Sequence, residues 1–162
     1  MNKAIFLDRD GTLNSDEGHY YVHRVSDLLL NPGVIENLKR LYDNGFKLIV
    51  ISNQAGIAKN EYEKQDTDRF HEEINNILLK NGCNIEEFYY CPHHDKVSAC
   101  LCRKPLPLLI EKAIARFDID KTQSYMIGDS KRDAEASEAA GIKAFIIEKN
   151  ANMKDVVDII LS

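Results

Sequence analysis

Two aspartates, Asp8 and Asp10, close a short apolar run and stand directly before Gly11-Thr12. On an extended backbone, residues two apart point the same way, and Gly11 allows the sharp turn that follows. A second acidic group, Gly128-Asp129-Ser130-Lys131-Arg132-Asp133, follows another apolar run. If the two runs are neighbouring strands, Asp8, Asp129 and a carbonyl near Asp10 form an oxygen-rich pocket, and hard oxygen donors with room for water suit Mg²⁺. A third run ends in Ser52-Asn53-Gln54, a hydroxyl and two amides able to donate to phosphate oxygens. Arg103-Lys104-Pro105 adds positive charge before a proline-started helix. Lys104 there can hold a phosphoryl oxygen and pair with the carboxylates, without which an anionic nucleophile would repel an anionic substrate. Taken singly, each feature has an ordinary explanation: acids after strands form turns and N-caps, Ser-Asn caps helices, and Arg-Lys pairs are solvated. Asp133 fits a cap as well as it fits chemistry. The weight comes from three of the groups falling at strand ends, with a cation to match them.

The cysteines suggest a second metal. Cys91-Pro92-His93-His94 precedes Cys100-Leu101-Cys102, so three of the four cysteines fall within twelve positions and Cys83 stands apart. Cys91, His93, Cys100 and Cys102 offer four soft or borderline ligands, the set of a closed tetrahedral Zn²⁺ site, with His94 as a substitute for His93. Four protein ligands leave no place for water, so the expected role is structural. Such a site would pin the loop at about 91–102, next to Arg103 and Lys104.

These groups need a scaffold that collects strand ends. Apolar runs at 4–7, 46–51, 87–90, 124–127 and 144–147 alternate with helical patterns at 33–42, 63–80, 106–117, 131–140 and 153–161, the 106–117 helix carrying its prolines in the first turn. Strand–helix alternation implies βαβ units, a parallel sheet covered on both faces, and ligands at the carboxyl ends of the strands. No repeat, low-complexity tract or long linker divides the chain, so residues 1–162 are expected to form one domain.

The 162 residues carry a net charge of -5, which argues against a broad surface for nucleic acid or anionic membrane. No signal peptide or membrane-length apolar run is visible, so a cytoplasmic monomer acting on a small molecule is expected. In a reducing compartment, clustered cysteines point to metal rather than disulfide.

Asp8-Arg9-Asp10-Gly11-Thr12, Ser52-Asn53, Lys104 and Gly128-Asp129 with Asp133, in that order and spacing, resemble the haloacid dehalogenase (HAD) superfamily of phosphohydrolases. The resemblance implies a three-layer Rossmann-like fold with a central parallel sheet, the nucleophile strand in the middle, and no large cap. It implies Asp8 as nucleophile, Asp10 as general acid and base, Ser52 as phosphoryl-binding hydroxyl, Lys104 as charge stabiliser, and Asp8, Asp10 and Asp129 around Mg²⁺. The zinc loop, the opening Asp-Arg-Asp-Gly-Thr-Leu-Asn, and the segments Gly18-His19-Tyr20-Tyr21-Val22 and Ser52-Asn53-Gln54-Ala55-Gly56-Ile57-Ala58 are similar to the D,D-heptose 1,7-bisphosphate phosphatases. That family removes the 7-phosphate in making heptose precursors of surface polysaccharide. The implied substrate contacts are Asn53, Gln54, Arg103 on the second phosphate, and Asp16, Glu17, Gly18, His19 and Tyr20 on the sugar. The alternatives are a histidinol-phosphate phosphatase, whose domain shares the zinc loop, and, in another class, a zinc-stabilised binding module without catalysis.

Overall fold

The computed structural model describes all 162 residues, Met1–Ser162. Five strands, β1 (Lys3–Leu7), β2 (Phe46–Asn53), β3 (Glu87–Cys91), β4 (Tyr125–Gly128) and β5 (Lys143–Ile146), pair in parallel in the order β3-β2-β1-β4-β5. β1 lies in the centre, and its residues after Lys3 are apolar and buried because both faces are covered. Ile5 and Leu7 face helices α1 (Val34–Asp43), α2 (Lys64–Lys80) and α5 (Lys154–Leu161), where Leu38, Leu41, Phe70, Ile74, Leu78 and Val157 complete one core. Ala4 and Phe6 face the other way, toward α3 (Leu108–Phe117) and α4 (Lys131–Ala139), with Ile110, Ala113 and Ala136 in a second core. The result is the three-layer arrangement that the strand–helix alternation implies. No helix is long and apolar enough to cross a membrane.

Register places the chemistry. Leu7 pairs with both Val50 and Ile127, so β1, β2 and β4 run out at one edge of the sheet, with Asp8, Ser52-Asn53 and Asp129 at or just past their ends. β2 runs two residues further than its apolar pattern, because Ser52 and Asn53 pair with Tyr90 and Cys91 of β3. Helix α3 starts two residues later than the sequence suggests. Pro107 is its N-cap rather than a first-turn residue. A residue preceding proline is pushed out of the helical region, which bars Leu106 from the helix. Pro105, after a cis peptide bond, also lies outside it.

Candidate active site

Asp8 directly follows the central strand and donates its backbone N–H to Ile127 O (3.1 Å), which fixes the turn against β4. Lys104 reaches it from the far side of the sheet edge. Its ammonium, 3% exposed as a residue, donates to Asp8 Oδ1 (2.8 Å), Asp133 Oδ1 (2.6 Å) and Ile51 O (2.7 Å), using all three protons. Asn53 holds the Lys104 backbone at two points: its Oδ1 accepts from Lys104 N (3.0 Å) and its Nδ2 donates to Lys104 O (3.1 Å).

Asp8, Asp129 and Asp133 each bring a carboxylate oxygen within 4.8 Å of the others. Asp133 does two jobs. Its Oδ2 accepts from Asp129 N, Ser130 N and Ser130 Oγ, completing the capping box of α4, while Oδ1 takes Lys104. A Cβ on Gly11, whose φ is +84°, would stand 2.6 Å from Asp129 Oδ2, so this turn requires glycine on both counts.

Burial pushes the Asp8 carboxyl well above its usual range, against the pull of Lys104, and Asp133 and Asp129 push it further up. Burial works to lower the Lys104 ammonium, but Asp8 and Asp133 outweigh it and hold it above its ordinary value. A hard cation between Asp8 and Asp129 would offset the crowding that disfavours ionised Asp8, so the donor set suits Mg²⁺.

Asp10 is not part of this carboxylate group. Its Oδ1 accepts from Arg9 Nε (2.9 Å) and Asn14 Nδ2 (3.0 Å), and its Oδ2 from Arg9 NH2 (3.1 Å) and Gln54 Nε2 (3.1 Å). With both carboxylate oxygens engaged, Asp10 has its main-chain carbonyl left to offer a metal, in place of the carboxylate ligand the resemblance implies. Arg9 is fully buried. Its remaining donors meet Val22 O (2.7 Å) and His71 Nε2 (3.2 Å), and its guanidinium carbon stands 4.4 Å from the Phe70 ring centre.

A cavity of about 420 Å³ opens over this edge. Of the sequence candidates, Asp8, Asp10, Asp16, His19, Tyr20, Asn53, Arg103, Lys104 and Asp129 line it. Four do not. Gln54, 1% exposed, spends its amide on Asp10 and on Ser52 Oγ (2.7 Å) and accepts from Tyr62 Oη (2.6 Å), so it braces Asp10 instead of meeting a ligand. Ser52, 1% exposed, accepts that amide on its Oγ and does not reach the lining, though its own O–H is uncommitted. Glu17 and Gly18 form an exposed turn that is not part of the lining. The lining adds Tyr21, His94, Arg132 and Lys149, to none of which the sequence assigns a substrate contact. Arg132 has a detectable signal, a cation in the turn after Asp129. Lys149 has none, because only the fold brings the segment after β5 beside Gly11.

Beside the cavity, Cys91 Sγ lies 3.7 Å from Cys100 Sγ and 3.1 Å from Cys102 Sγ, and His93 Nδ1 lies 3.4 Å from Cys91 and 3.2 Å from Cys102. Tetrahedral zinc with metal–sulfur bonds near 2.3 Å spaces its sulfurs about 3.8 Å apart, so the four groups are gathered at close to ligand spacing. His94 is excluded from the set, its Nδ1 facing Asp95 and the Lys96 N–H. Burial, with Cys102 beside it, pushes the Cys91 thiol up; a thiophilic cation would reverse this by taking the thiolate. Cys83 is a buried core residue of the opposite layer.

The sequence profile of the polynucleotide kinase 3 phosphatase family matches residues 3–156. The D-glycero-beta-D-manno-heptose-1,7-bisphosphate 7-phosphatase of Haemophilus ducreyi is 40% identical over 151 residues, covering 90% of this chain and 82% of the relative. The chain belongs to the D,D-heptose 1,7-bisphosphate phosphatase family of HAD phosphatases. The Escherichia coli K12 member is 38% identical over 145 residues, covering 86% of this chain and 75% of its own. The B. bronchiseptica D,D-heptose 1,7-bisphosphate phosphatase, solved with magnesium and phosphate, superposes with a TM-score of 0.85 at 28% identity over 96% of this chain and 86% of that one. Membership agrees with the central strand that ends just before Asp8 and with the Cys/His group beside it.

Proposed function

We propose that the chain hydrolyses the 7-phosphate of D-glycero-D-manno-heptose 1,7-bisphosphate through an aspartyl phosphate on Asp8. The observation that carries the reading is the Lys104 ammonium held between Asp8 and Asp133, with Asp129 alongside, at the end of the central strand. The substrate is taken from the names of relatives at about 40% identity.

Asp8 attacks phosphorus in line, and the bond from phosphorus to the sugar oxygen breaks as the new Asp8–phosphorus bond forms. Asp10, which reaches the cavity, gives its proton to the leaving alkoxide. It then takes a proton from the water that cleaves the aspartyl phosphate, releasing inorganic phosphate and restoring Asp8. Lys104 stays charged throughout and balances the negative charge that gathers around Asp8. Mg²⁺ held by Asp8, Asp129 and the Asp10 carbonyl would let two anions approach one another. Ser52 keeps its O–H uncommitted, since the Gln54 amide takes only a lone pair of its Oγ, and a small shift of this buried side chain would let it donate to a phosphoryl oxygen. Arg103 and Arg132 line the cavity without a carboxylate partner and suit the second phosphate. His19 and Tyr20 offer the sugar contacts. Zn²⁺ on Cys91, His93, Cys100 and Cys102 would hold the loop that carries Arg103 and Lys104.

The test is phosphate release with Mg²⁺ from the α and β heptose bisphosphates and from histidinol phosphate. The expected preference is for a heptose bisphosphate, with Asp8→Asn slower by about 10³-fold or more, as for loss of other covalent nucleophiles. Preference for histidinol phosphate would move the substrate. Equal rates for wild type and Asp8→Asn would overturn the mechanism.

A further inference from the structure

Asp16 enters the sequence reading as a sugar contact, and it does line the cavity, but its bonds point elsewhere. Its carboxylate is held from the segment after β5. Lys149 Nζ lies 2.7 Å from Asp16 Oδ2, and Asn150 Nδ2 donates to Asp16 Oδ1 (3.1 Å). The Asp16 N–H returns a bond to Asn150 Oδ1 (3.4 Å). Asn150 is itself anchored, its N–H donating to Gly11 O (2.8 Å), and Asn31 Nδ2 ties Asn150 Oδ1 to Thr12 O (3.5 and 3.2 Å). Asn150 has φ +62°, a left-handed conformation that asparagine tolerates better than most residues, so the turn is shaped to present its amide.

The segment from Ser15 to Val22 is thus fastened at both ends. At the far end, Val22 O accepts from Arg9, and the Tyr21 ring stands 5.9 Å from that of Tyr62. Between the fastenings lie His19 and Tyr20, exposed and without hydrogen bonds from their side chains, with Tyr20 87% exposed at the cavity rim. The near fastening touches the reaction centre. A Cβ on Gly11 would stand 2.6 Å from Asp129 Oδ2 and 3.0 Å from Lys149 Cγ, so the lysine stem, the Asp129 carboxylate and the Gly11 backbone are packed together.

From this we infer that Lys149 and Asn150 form a strap that, through Asp16, sets the height of the His19–Tyr20 rim above the carboxylates and so governs which leaving groups fit. Lys149 and Asn150 are positioning residues, and Asp16 acts through its hold on the loop. The inference rests on the phosphatase reading above, and it separates two demands on the site. A small aryl phosphate needs only the carboxylates and Lys104. A sugar bisphosphate must also be met by the rim.

Lys149→Met keeps the stem and removes the charge, and Asn150→Gly keeps the left-handed turn and removes the amide. In both, KM for the heptose bisphosphate is expected to rise roughly tenfold, the scale of one lost charge-assisted hydrogen bond. Turnover of p-nitrophenyl phosphate should stay within about twofold. The charge-swapped pair Asp16→Lys with Lys149→Asp should recover most of the loss in KM. A single variant that damages both substrates equally, or a swap that recovers nothing, would overturn the strap and make Lys149 a direct phosphate ligand or a mere stabiliser. Amide exchange of residues 16–21 supplies a readout without catalysis, and it should quicken in Lys149→Met. Unchanged exchange defeats the strap even in an active enzyme. Wild type that releases no phosphate defeats the phosphatase reading and leaves the exchange result to judge the strap.

Discussion

Gln54 shows how a residue can be read correctly for type and wrongly for task. Its amide suits a phosphate oxygen, and its place after a strand suits a ligand site. In the fold its nitrogen meets Asp10 and Ser52, and its oxygen is taken by Tyr62. With Arg9 bidentate on the same carboxylate, Gln54 fixes the orientation of Asp10, and in the proposed reaction it would set where that residue delivers its proton. Gln54→Leu keeps most of the volume and removes the brace. It is expected to lower kcat about tenfold, as a hydrogen bond to a charged group implies, with KM nearly unchanged; steady-state kinetics on the heptose bisphosphate decide it. A rise in KM with kcat intact would return Gln54 to the binding residues. Asp8, Lys104, Asp129 and the four zinc-type ligands were legible in the sequence because their spacing has few other uses. Arg9 was not, since a guanidinium between two aspartates reads as surface charge. Its burial follows from Val22, Phe70 and His71, which are distant in sequence.

The five strands and the five α-helices were legible from apolar runs and helical spacing. The ends were less so. β2 gains Ser52 and Asn53 through pairing with β3, and α3 loses Leu106 through the proline that follows it. Helix α2 carries a feature that no pattern of periodicity marks: His71, on its buried face, accepts from Arg9 and stacks on Phe88 with ring centroids 4.4 Å apart. Burial, and then the Arg9 charge, hold its imidazole well below the usual value, so it is neutral in the fold. The unfolded chain takes up a proton near pH 6.5, whereas the folded chain resists. Stability from this group is therefore complete above about pH 6.5 and is lost as pH falls below it, by up to about 1.4 kcal/mol per pH unit. Asp8, whose carboxyl is pushed up, contributes with the opposite sign, so the comparison must be between variants. Urea unfolding at pH 7.5 and 5.5 should show the advantage of wild type over His71→Gln shrinking at the lower pH. A constant difference would mean that His71 is not neutral in the fold.

At the scale of the whole molecule, the parallel sheet has β3, which ends in the zinc-type ligand Cys91, at one edge and β1 and β4, which carry Asp8 and Asp129, in its interior. The two helix layers meet only across that sheet, and we propose that residues 1–162 unfold as one unit and that the two metals stabilise it separately. Zinc on the Cys/His group would hold a loop between β3 and α3 that has little core of its own. A thiophilic chelator should lower the melting temperature, quicken amide exchange over residues 92–104, and raise KM before it lowers kcat. Mg²⁺ would act instead on the carboxylate group, where Asp8, Asp129 and Asp133 crowd together. At a hundred times its dissociation constant, a ligand adds about 2.7 kcal/mol, and each kcal/mol is worth roughly 3 °C for a chain of this size. Calorimetry should give one transition, raised by millimolar Mg²⁺. Asp129→Asn should abolish the Mg²⁺ shift and leave the response to the thiophilic chelator intact. Two resolved transitions would divide the chain into separate units. A Mg²⁺ shift that survives Asp129→Asn would place the cation away from the end of the central strand, and with it would go the pairing of Asp8 and Asp129 on which the proposed reaction depends.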